Sequence, residues 1–479
     1  MTVALLCNIQ CLFSQTFTPV KVSNKAQIME LETVENIRNV MVAVIMGANP
    51  KNFTICRSTN SGVTWNSVFF YQSDASFLGS PDPVIACDSA GTFYVTVMRT
   101  GPVSNPTSNK ANLWVFKSID DGITWTQPSK PYTGNNKADY PQLLIDKKNN
   151  RIYLSYTVYN FTSPTSSWVQ FVYSTDGALT WSSPISFQAP YVPPPAYFHA
   201  LGPDLGLLPN NKICLSFGDY NLGQIYFTSS SDLGNTWQPK TTIPINTSTN
   251  LLITKVVSHP GFNHLGIISH KPHKAVADVY YSTSTNGGST WQTQLIGSNA
   301  SLGEGTIDNT GKVHVVFNQD VGGNFQLNYR YSTDFGVTFS PNINLLNLSY
   351  PSPTTEGEYQ SLILGNDNLL HLTFIDWNDT CIAKHLMFAP LLTSFAEFPD
   401  ELNVPKIFPN PVQDIINIKF ETNNLASTFE LADMQGKFLL RGDLGNGCTA
   451  LSGASLPPGI YLLKIYCGNN IYVQKLLKR

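Results

Sequence analysis

A chain of 479 residues is too long for one ordinary compact core and fits one large repeat domain followed by a small one. Charged residues make up only 13 %, while Asn, Ser, Thr, Gly, Pro and aromatic residues abound, which is typical of an exported all-β protein rather than a helical cytosolic enzyme. The formal net charge of −3 leaves no basic footprint for nucleic acid or for an acidic membrane surface.

The first residues, MTVALLCNIQCLFSQ, form an apolar run that ends in small and polar residues, as the end of a secretory signal peptide does. The basic segment that usually precedes such a run is missing, and a buried first strand is the alternative. We predict a signal peptide over residues 1–15, because a separate strand pattern, TFTPVKVS, begins directly after it. No other apolar run is long enough to span a bilayer.

The motif Ser-x-Asp-x-Gly-x-Thr-Trp occurs six times, and its serines are 60, 56, 56, 54 and 48 residues apart. A motif that returns at a near-constant spacing predicts a repeat architecture. The Asp or Asn is expected to fix a tight turn, the Gly to supply an unusual backbone conformation, and the aromatic ring to anchor the turn in an apolar layer. The side chains with these structural roles are Asn60, Trp65, Asp120, Trp125, Asp176, Trp181, Asp232, Trp237, Asn286, Trp291, Asp334 and Phe339.

These six copies resemble the Asp box, or BNR repeat, of sialidase-like β-propellers. The resemblance implies that the turns lie on the rim of a propeller, away from its central site, so that all six are structural. The third copy departs from the pattern, because Gly177 comes one position early and Ala178 takes the usual Gly position. We expect that turn to be distorted.

Between these turns the chain repeats a hairpin, as in PVIACDSAGTFYVTVM from Pro83. Seven such hairpins, each followed by a third strand, predict four-stranded propeller blades. The last hairpin is not followed by the turn motif, and Thr16–Ser23 can supply its missing outer strand, which closes the ring without an unpaired edge. We therefore predict an all-β protein with a seven-bladed β-propeller over residues 16–392, with six blades as the alternative.

After a Pro-punctuated linker over residues 393–406, short alternating strands predict a small β-sandwich over residues 407–479. This segment contains PNP, then DMQGK, then LPPGIY and a terminal KLLKR, and it closely resembles the C-terminal sorting domain of the type IX secretion system. The resemblance implies export across the outer membrane, with the secretion machinery as partner and the cell surface or the medium as destination. A generic carbohydrate-binding sandwich is the alternative.

Cysteine and histidine positions do not predict a metal site, and no cofactor is expected. No zinc-type spacing occurs, and four cysteines are predicted to be small buried residues: Cys56, Cys87, Cys214 and Cys381. An exported protein could join Cys448 to Cys467. Four histidines fall in one blade, where structural roles are expected: His259, His264, His270 and His273.

The first strand of each blade lines the axis of a propeller, so residues just before these strands are expected at the mouth of the central channel. Eight polar or aromatic residues have this position: Asp82, Asp139, Tyr140, His199, Asp204, Glu304, Glu358 and Tyr359. We take Tyr359, Glu304, Glu358 and Asp82 as catalytic candidates, and Asp139, Tyr140, His199 and Asp204 as ligand-binding candidates. The alternative is that they only cap strand ends.

Sialidases use a Tyr nucleophile with a Glu, an Asp acid/base and three arginines that bind the substrate carboxylate. The segment EYQSLIL around Tyr359 resembles the one that carries their Tyr, and Glu304 loosely matches the activating Glu. The arginines do not match the family pattern; the propeller region contains Arg38, Arg57, Arg99, Arg151 and Arg330. Lys does not replace a bidentate guanidinium well.

Three functions follow in order of preference. The first is a secreted or cell-surface propeller that binds glycan or protein at the channel mouth. The second is a sialidase-like or other glycoside hydrolase at the same mouth, since two carboxylates from any two blades can form such a site. The third is a structural scaffold on the cell surface.

Overall fold

The computed structural model describes nineteen stretches of the chain. They are residues 18–25, 27–47, 52–72, 77–79, 82–102, 110–160, 166–188, 201–219, 222–245, 253–270, 277–322, 324–348, 360–377, 381–389, 405–419, 427–433, 438–445, 448–467 and 470–478. The chain divides into an N-terminal unit, Met1–Leu391, and a C-terminal unit, Leu392–Arg479. The predicted signal peptide lies outside the described residues. Among these residues every named element is a strand, and no helix has the length and apolar character needed to cross a membrane.

The described strands of the N-terminal unit form five sheets, of four, nine, four, seven and four strands. We divide them in chain order into seven modules, within which successive strands pair antiparallel. Module 1 contains β2 (Ile28–Glu35), β3 (Met41–Gly47), β4 (Asn52–Ser58) and β5 (Asn66–Gln72). Module 2 contains β6 (Phe77–Gly79) and β7 (Val84–Cys87), which both pair with β8 (Phe93–Pro102), and also β9 (Ala111–Ser118) and β10 (Thr126–Tyr132). Module 3 contains β11 (Lys137–Asp146), β12 (Arg151–Asn160), β13 (Ser166–Ser174) and β14 (Ile185–Phe187).

The remaining modules follow the same order. Module 4 contains β15 (Leu201–Leu208), β16 (Lys212–Asp219), β17 (Gln224–Ser230) and β18 (Thr241–Ile243). Module 5 contains β19 (Ile253–Ser258), β20 (Leu265–His270), β21 (Ala277–Ser284) and the first half of β22 (Gln292–Ile307). Module 6 contains the second half of β22 with β23 (Val313–Val321), β24 (Asn324–Ser332) and β25 (Ile343–Leu348). Module 7 contains β26 (Ser361–Leu364), β27 (Leu370–Asp376), β28 (Ile382–Phe388) and, from the other end of the chain, β1 (Val20–Lys21).

The first strands of the modules form a closed circuit. In chain order β2, β7, β11, β15, β19, β22 and β26 each contact the next, and β26 contacts β2. A strand pairing in module 7 also joins the two ends of the N-terminal unit. Val20 of β1 pairs with His385 of β28, and Lys21 pairs with Lys384. This is the pairing of the N-terminal strand with the last hairpin that the sequence predicts.

The second strand of each module is buried on both faces. Strand β27, for example, is buried at every residue from Leu370 to Asp376, and β16 is buried from Ile213 onward. A strand between two packed sheets needs apolar side chains on both faces, which explains the continuous runs of Val, Ile, Leu and aromatic residues. The four cysteines Cys56, Cys87, Cys214 and Cys381 are buried free thiols, as expected.

The six Ser-x-Asp turns connect third and fourth strands and lock themselves by side-chain hydrogen bonds. In the second copy the Gly122 N–H donates to Ser118 Oγ at 2.9 Å, and the Thr124 N–H donates to Asp120 Oδ1 at 2.9 Å. The third copy is not distorted, contrary to expectation. Ala178 adopts a φ of 65°, and its N–H donates to Ser174 Oγ at 3.0 Å. Ala178 therefore keeps the turn that glycine forms in the other copies.

Each of these turns is wedged against the preceding module. The Phe339 and Trp291 rings pack edge-on against Tyr281 and Phe227, both at 5.0 Å between centroids. A methyl group added at Gly62 would overlap the imidazole of His385, so glycine is needed there for close approach as well as for its φ of 79°. The turns lie at the same end of the modules as the turns between first and second strands. For example, Asn36 Nδ2 in the first hairpin turn of module 1 donates to Asp121 Oδ1 at 2.7 Å.

The C-terminal unit consists of two antiparallel sheets. One contains β29 (Lys406–Phe408), β30 (Ile415–Lys419) and β33 (Cys448–Ser452), and the other contains β31 (Ser427–Asp433), β32 (Phe438–Leu444), β34 (Gly459–Cys467) and β35 (Asn470–Lys478). Ile416 and Ile418 of the first sheet share one apolar core with Leu431, Leu463 and Ile465 of the second. Cys448 and Cys467 lie in different sheets, and their side chains are outside the described residues.

The closing module contains a pair of buried histidines. His371 Nδ1 lies 3.0 Å from His385 Nε2, and His371 Nε2 lies 3.0 Å from Asp367 Oδ1. Burial, and then the neighbouring His371, lowers the pKa of His385 to about 3. The unfolded chain therefore binds a proton at this histidine at a higher pH than the folded chain does. Stability is lost as the pH falls from the unfolded pKa of about 6.5 toward the folded one.

We expect His385→Gln to remove this acid sensitivity. The free energy of unfolding of the natural sequence should fall by about 2 kcal/mol more than that of the variant between pH 7 and pH 5. Urea titrations at both pH values measure the difference. Leu386→Val, which destabilises the same strand but keeps the histidine, should retain the full pH dependence. An equal loss in His385→Gln and in the natural sequence would contradict the prediction.

Candidate functional site

Backbone bulges occur near the beginning of several first strands. The register of the first strand against the second shifts between Asp139 and Gln142, between Leu201 and Asp204, and between Ser301 and Glu304. Another shift lies between Ile28 and Glu30. A bulge bends a strand and re-aims the side chains beside it. Tyr140 and Leu302 have φ values of 48° and 53° here, which is uncommon for bulky side chains and common at binding sites.

Each module has an equivalent position in its first strand, four residues before the turn that leads to the second strand. The side chains at this position surround the axis. They are Glu32, Val84, Gln142, Asp204, Lys255, Glu304 and Ser361, which we call the axial ring. All but Asp204 line one cavity of about 290 Å³. The cavity therefore extends along the inner edges of the first strands.

Three members of the axial ring bind the backbone of the following module. Glu32 Oε2 accepts the Ile85 N–H at 2.7 Å, and Asp204 Oδ2 accepts the Val256 N–H at 2.7 Å. In module 7, Ser361 Oγ accepts the Thr33 N–H at 3.2 Å. First strands of adjacent modules contact each other at edges that need hydrogen-bond partners. These side chains supply them, which gives Asp204 and Glu32 a structural role.

A buried lysine balances the carboxylates of the axial ring. Lys255 Nζ lies 3.0 Å from Glu304 Oε1, and both side chains are largely buried. Burial would lower the pKa of Lys255, but the carboxylates of Glu304, Asp204 and Glu32 outweigh it and raise that pKa. Burial likewise raises the pKa of Glu304 and of Asp204, and it raises the pKa of Glu32 to about 7. The centre of the ring thus holds one ammonium among three carboxyl groups.

A second acidic cluster lies where the first strands begin. The Asp82 N–H donates to Glu30 Oε2 at 2.5 Å, and Asp82 Oδ2 accepts the Tyr140 N–H at 3.4 Å, next to Asp139. Burial, followed by the charges of Glu30 and Asp139, raises the pKa of Asp82 well above its usual range. We call Glu30, Asp82 and Asp139 the mouth cluster.

One lysine and two tyrosines accompany the mouth cluster. Lys137 Nζ lies 2.7 Å from Asp139 Oδ2. The Tyr140 N–H donates to Asp139 Oδ1 at 3.2 Å, and Tyr140 lines the cavity together with Asp82. Burial and the nearby Asp139 raise the pKa of the Tyr159 phenol. The mouth therefore offers carboxyl, ammonium and aromatic groups within one region.

Five of the eight residues predicted at the mouth are described. Asp82, Tyr140 and Glu304 line the cavity, Asp139 belongs to the mouth cluster, and Asp204 holds the next module. His199, Glu358 and Tyr359 lie outside the described residues. The polar residues of this region that the sequence reasoning missed include Glu30, Glu32, Lys137, Gln142, Lys255, Gln360 and Ser361. Counting back from each hairpin turn would have revealed Glu32 and Lys255.

Among the described residues that line the cavity there is no arginine. Arg57 Nε donates to the Asp121 carbonyl at 2.7 Å, and Arg330 Nε donates to the Ser340 carbonyl at 2.6 Å. Arg151 Nη1 donates to the Leu233 carbonyl at 3.1 Å, and Arg38 pairs with Asp121 at 2.5 Å. Arg99 is buried with its guanidinium stacked 3.8 Å from the Trp114 ring. These contacts hold modules and turns together.

The histidines of module 5 have separate surroundings. The His264 ring stacks on Phe335 at 3.8 Å, and His259 Nε2 lies 3.0 Å from Asn309 Oδ1. His270 is buried on β20, and His273 lies outside the described residues. Within the described part of the chain, no group of three His, Cys, Asp or Glu side chains is arranged to hold a metal ion.

Comparison with known families identifies the C-terminal unit. Residues 406–479 match the family described as "Secretion system C-terminal sorting domain". The C-terminal unit is a type IX secretion sorting domain. The protein is therefore exported by the type IX system to the cell surface or beyond, and this unit engages the secretion machinery. This confirms the localisation expected from the PNP, DMQGK, LPPGIY and KLLKR segments.

Solved structures similar to this chain include an arabinanase, a sialidase and a protein of unknown function. The α-L-arabinanase of Penicillium chrysogenum is 14 % identical with a TM-score of 0.47, and the match covers 78 % of this chain and 98 % of that one. The NanB sialidase of Streptococcus pneumoniae is 11 % identical with a TM-score of 0.44, covering 74 % of this chain and 84 % of that one. A Dyadobacter fermentans protein of unknown function is 17 % identical with a TM-score of 0.47, covering 66 % and 96 %. No curated protein sequence matches significantly.

Asp204 offers a direct test of the clamps between modules, because its carboxylate accepts both the Leu205 and the Val256 N–H groups. We expect Asp204→Ala to lower the free energy of unfolding by about 2–3 kcal/mol, since it leaves these N–H groups without an acceptor. Asp204→Asn keeps one acceptor oxygen and should cost less than half as much. Thermal and urea unfolding of both variants measure this, and equal losses would contradict the assigned role.

The ion pair between Lys255 and Glu304 is testable by a double-mutant cycle. Lys255→Met leaves the Glu304 carboxylate buried without its partner and should destabilise the protein by about 3–5 kcal/mol. Adding Glu304→Gln removes the orphaned charge, so the double variant should regain more than half of that loss. Strictly additive effects in urea unfolding would show that the two groups do not interact.

Proposed function

We propose that this protein is an exported seven-bladed β-propeller over residues 16–392 that binds a glycan at the mouth of its central channel. In this proposal the seven modules are the blades, β1 closes the ring in the last blade, and the six Ser-x-Asp turns are Asp boxes. The circuit of first strands and the four-stranded repeat support the architecture. Residues 393–406 connect the propeller to the sorting domain.

One observation carries the assignment of a binding site rather than a scaffold. A cavity of about 290 Å³ lies beside the axial ring, and its wall mixes Asp82, Tyr140 and Gln142 with apolar residues such as Pro83 and Leu143. Small-ligand sites combine an apolar wall with a few converging polar groups in this way. Sugar hydroxyls can pair with the carboxyl and amide groups, while the aromatic and Pro surfaces cover the sugar face.

A glycoside hydrolase is the second candidate, favoured by the raised pKa of Asp82, since a carboxyl group that stays protonated can act as a general acid. The carboxyl groups beside it are engaged in other contacts, since Asp139 pairs with Lys137 and Glu30 accepts the Asp82 N–H. Glu304 is held by Lys255. The geometry therefore favours binding without turnover.

The full-length protein should bind members of a glycan array and should not hydrolyse chromogenic glycosides, a sialoside included. Tyr140→Ala should weaken glycan binding at least tenfold, because it removes the aromatic surface at the cavity. Asp120→Asn is the matched control, since Asn60 and Asn286 occupy the same place in two other turns, and its binding should be unchanged. Turnover that Asp82→Asn abolishes would establish the hydrolase instead. A protein that binds no glycan would favour the scaffold.

A further inference from the structure

The cavity lies on one side of the axial ring, along β26, β2, β7 and β11. Apart from Lys255 and Glu304, the described residues that line it belong to modules 7, 1, 2 and 3 or directly precede their first strands. On the other side the modules approach closely through glycines. A methyl group added at Gly206 of β15 would overlap Val256 of β19, and one added at Gly305 of β22 would overlap Ile268 of β20. The open space is therefore left beside modules 7, 1, 2 and 3.

This cavity is long and narrow. On β11 it is lined by every residue from Tyr140 to Ile145. At a rise of about 3.3 Å per residue, these five steps correspond to about 16 Å along the strand. A volume of about 290 Å³ spread over this length leaves a narrow space. Such a shape fits an extended chain better than a row of sugar rings.

The chemistry of the wall changes along this length. The mouth is polar, with Asp82 and Tyr140 at its border. Beyond the axial ring, toward the hairpin turns, the described lining residues are apolar except for Thr33 and Lys147. Four apolar residues that line this part are only partly buried, and we call them the apolar end: Val34, Leu143, Leu144 and Ile363.

The cavity is continuous past the axial ring, since residues on both sides of the ring line it. On this side the ring contains the small residues Val84 and Ser361, one on each side of Glu32. Glu32 Oε2 is held by the Ile85 N–H at 2.7 Å, and Glu304 is held by Lys255. A chain of methylene groups can therefore pass the ring without replacing any of these bonds.

The two ends of the cavity need different ligand groups. Water between apolar walls finds few hydrogen-bond partners, and an apolar group that displaces such water gains affinity. Hydroxyl groups gain nothing there, because apolar side chains offer them no partner. At the mouth the reverse holds, since Asp82 and Gln142 can pair with hydroxyls. The complementary ligand is polar at one end and a slim hydrocarbon at the other.

We propose that the protein binds its glycan as a glycoside of an apolar alcohol, with the sugar at the mouth and the aglycone beyond the axial ring at the apolar end. This inference rests on the proposed glycan binding and names the class of ligand. A sugar without an aglycone would leave the apolar end in contact with water. A free alcohol would leave the polar groups of the mouth without the sugar hydroxyls that match them.

Alkyl glycosides of increasing chain length provide the test. Methyl, butyl, hexyl and octyl β-glucosides and β-galactosides are titrated calorimetrically into the full-length protein, below their critical micelle concentrations. The octyl glycoside should bind at least about thirtyfold more tightly than the methyl glycoside of the same sugar, since each buried methylene contributes about a threefold to fourfold gain.

The other outcomes separate the two proposals. Equal affinity of methyl and octyl glycosides, with glycans bound on the array, would overturn the inference and leave the proposed glycan binding intact. Binding of n-octanol as tightly as of the octyl glycosides would overturn the glycoside assignment in favour of a lipid site. Binding of no glycoside, with a blank glycan array, would overturn both proposals.

Variants at Ile363 locate the aglycone. Ile363 alternates along β26 with Leu362 and Leu364, which pack into the apolar core beside it. Ile363→Asn should weaken binding of the octyl glycoside at least tenfold and leave the methyl glycoside unchanged. Ile363→Leu is the matched control, because it keeps the apolar surface, and it should bind both as the natural sequence does. An equal loss for both glycosides in Ile363→Asn would overturn the placement.

A photoreactive ligand gives the same information if Ile363→Asn does not fold. An octyl glycoside with a diazirine at its last carbon is crosslinked to the natural sequence, and the labelled residues are identified by mass spectrometry. Labels should fall on β2, β7, β11 or β26 beyond the axial ring. Labels confined to the mouth or to the outer strands would overturn the inference.

Discussion

The structure depends on satisfying the free edges of seven first strands that meet around one axis. A strand edge away from its own sheet exposes N–H groups that must find partners. Here the partners are side chains of the preceding module, namely the carboxylates of Glu32 and Asp204 and the hydroxyl of Ser361. Ring closure therefore places polar groups along the axis. The wall of the cavity is polar in part because adjacent first strands require hydrogen-bond acceptors there.

This requirement changes how carboxylates at the axis are interpreted. A row of acidic residues along a channel suggests catalysis, but Asp204 and Glu32 bind backbone, and Glu304 binds Lys255. The mouth cluster combines both kinds of contact, because Glu30 accepts the Asp82 N–H and Asp82 accepts the Tyr140 N–H, while Asp139 pairs with Lys137. The distinction between structural and ligand-binding carboxylates lies in what they contact, and their residue types alone do not reveal it.

The opposite end of the modules has a different chemistry. There the Ser-x-Asp turns satisfy themselves with short local bonds, and their aromatic rings fill the borders between modules. Arginines hold these turns through carbonyl oxygens, as Arg57 and Arg151 do. A guanidinium that binds backbone at the periphery is not available to bind a substrate carboxylate at the axis. The same fold thus uses its arginines for assembly and leaves the mouth to carboxyl groups and lysine.

The sequence by itself determined the all-β character, the repeated turn and the sorting domain, because each is encoded by local patterns of a few residues. It also predicted the pairing of the N-terminal strand with the last hairpin, since one outer strand was missing at one end of the chain and spare at the other. Local pattern misled at Ala178, where the surrounding bonds hold a left-handed conformation that glycine would normally supply. Only the tertiary structure brought Glu30, Asp82 and Asp139 together and set Lys255 beside Glu304. These residues are separated by roughly one repeat or more in sequence, and their proximity arises when the modules close around a common axis, which no local pattern specifies.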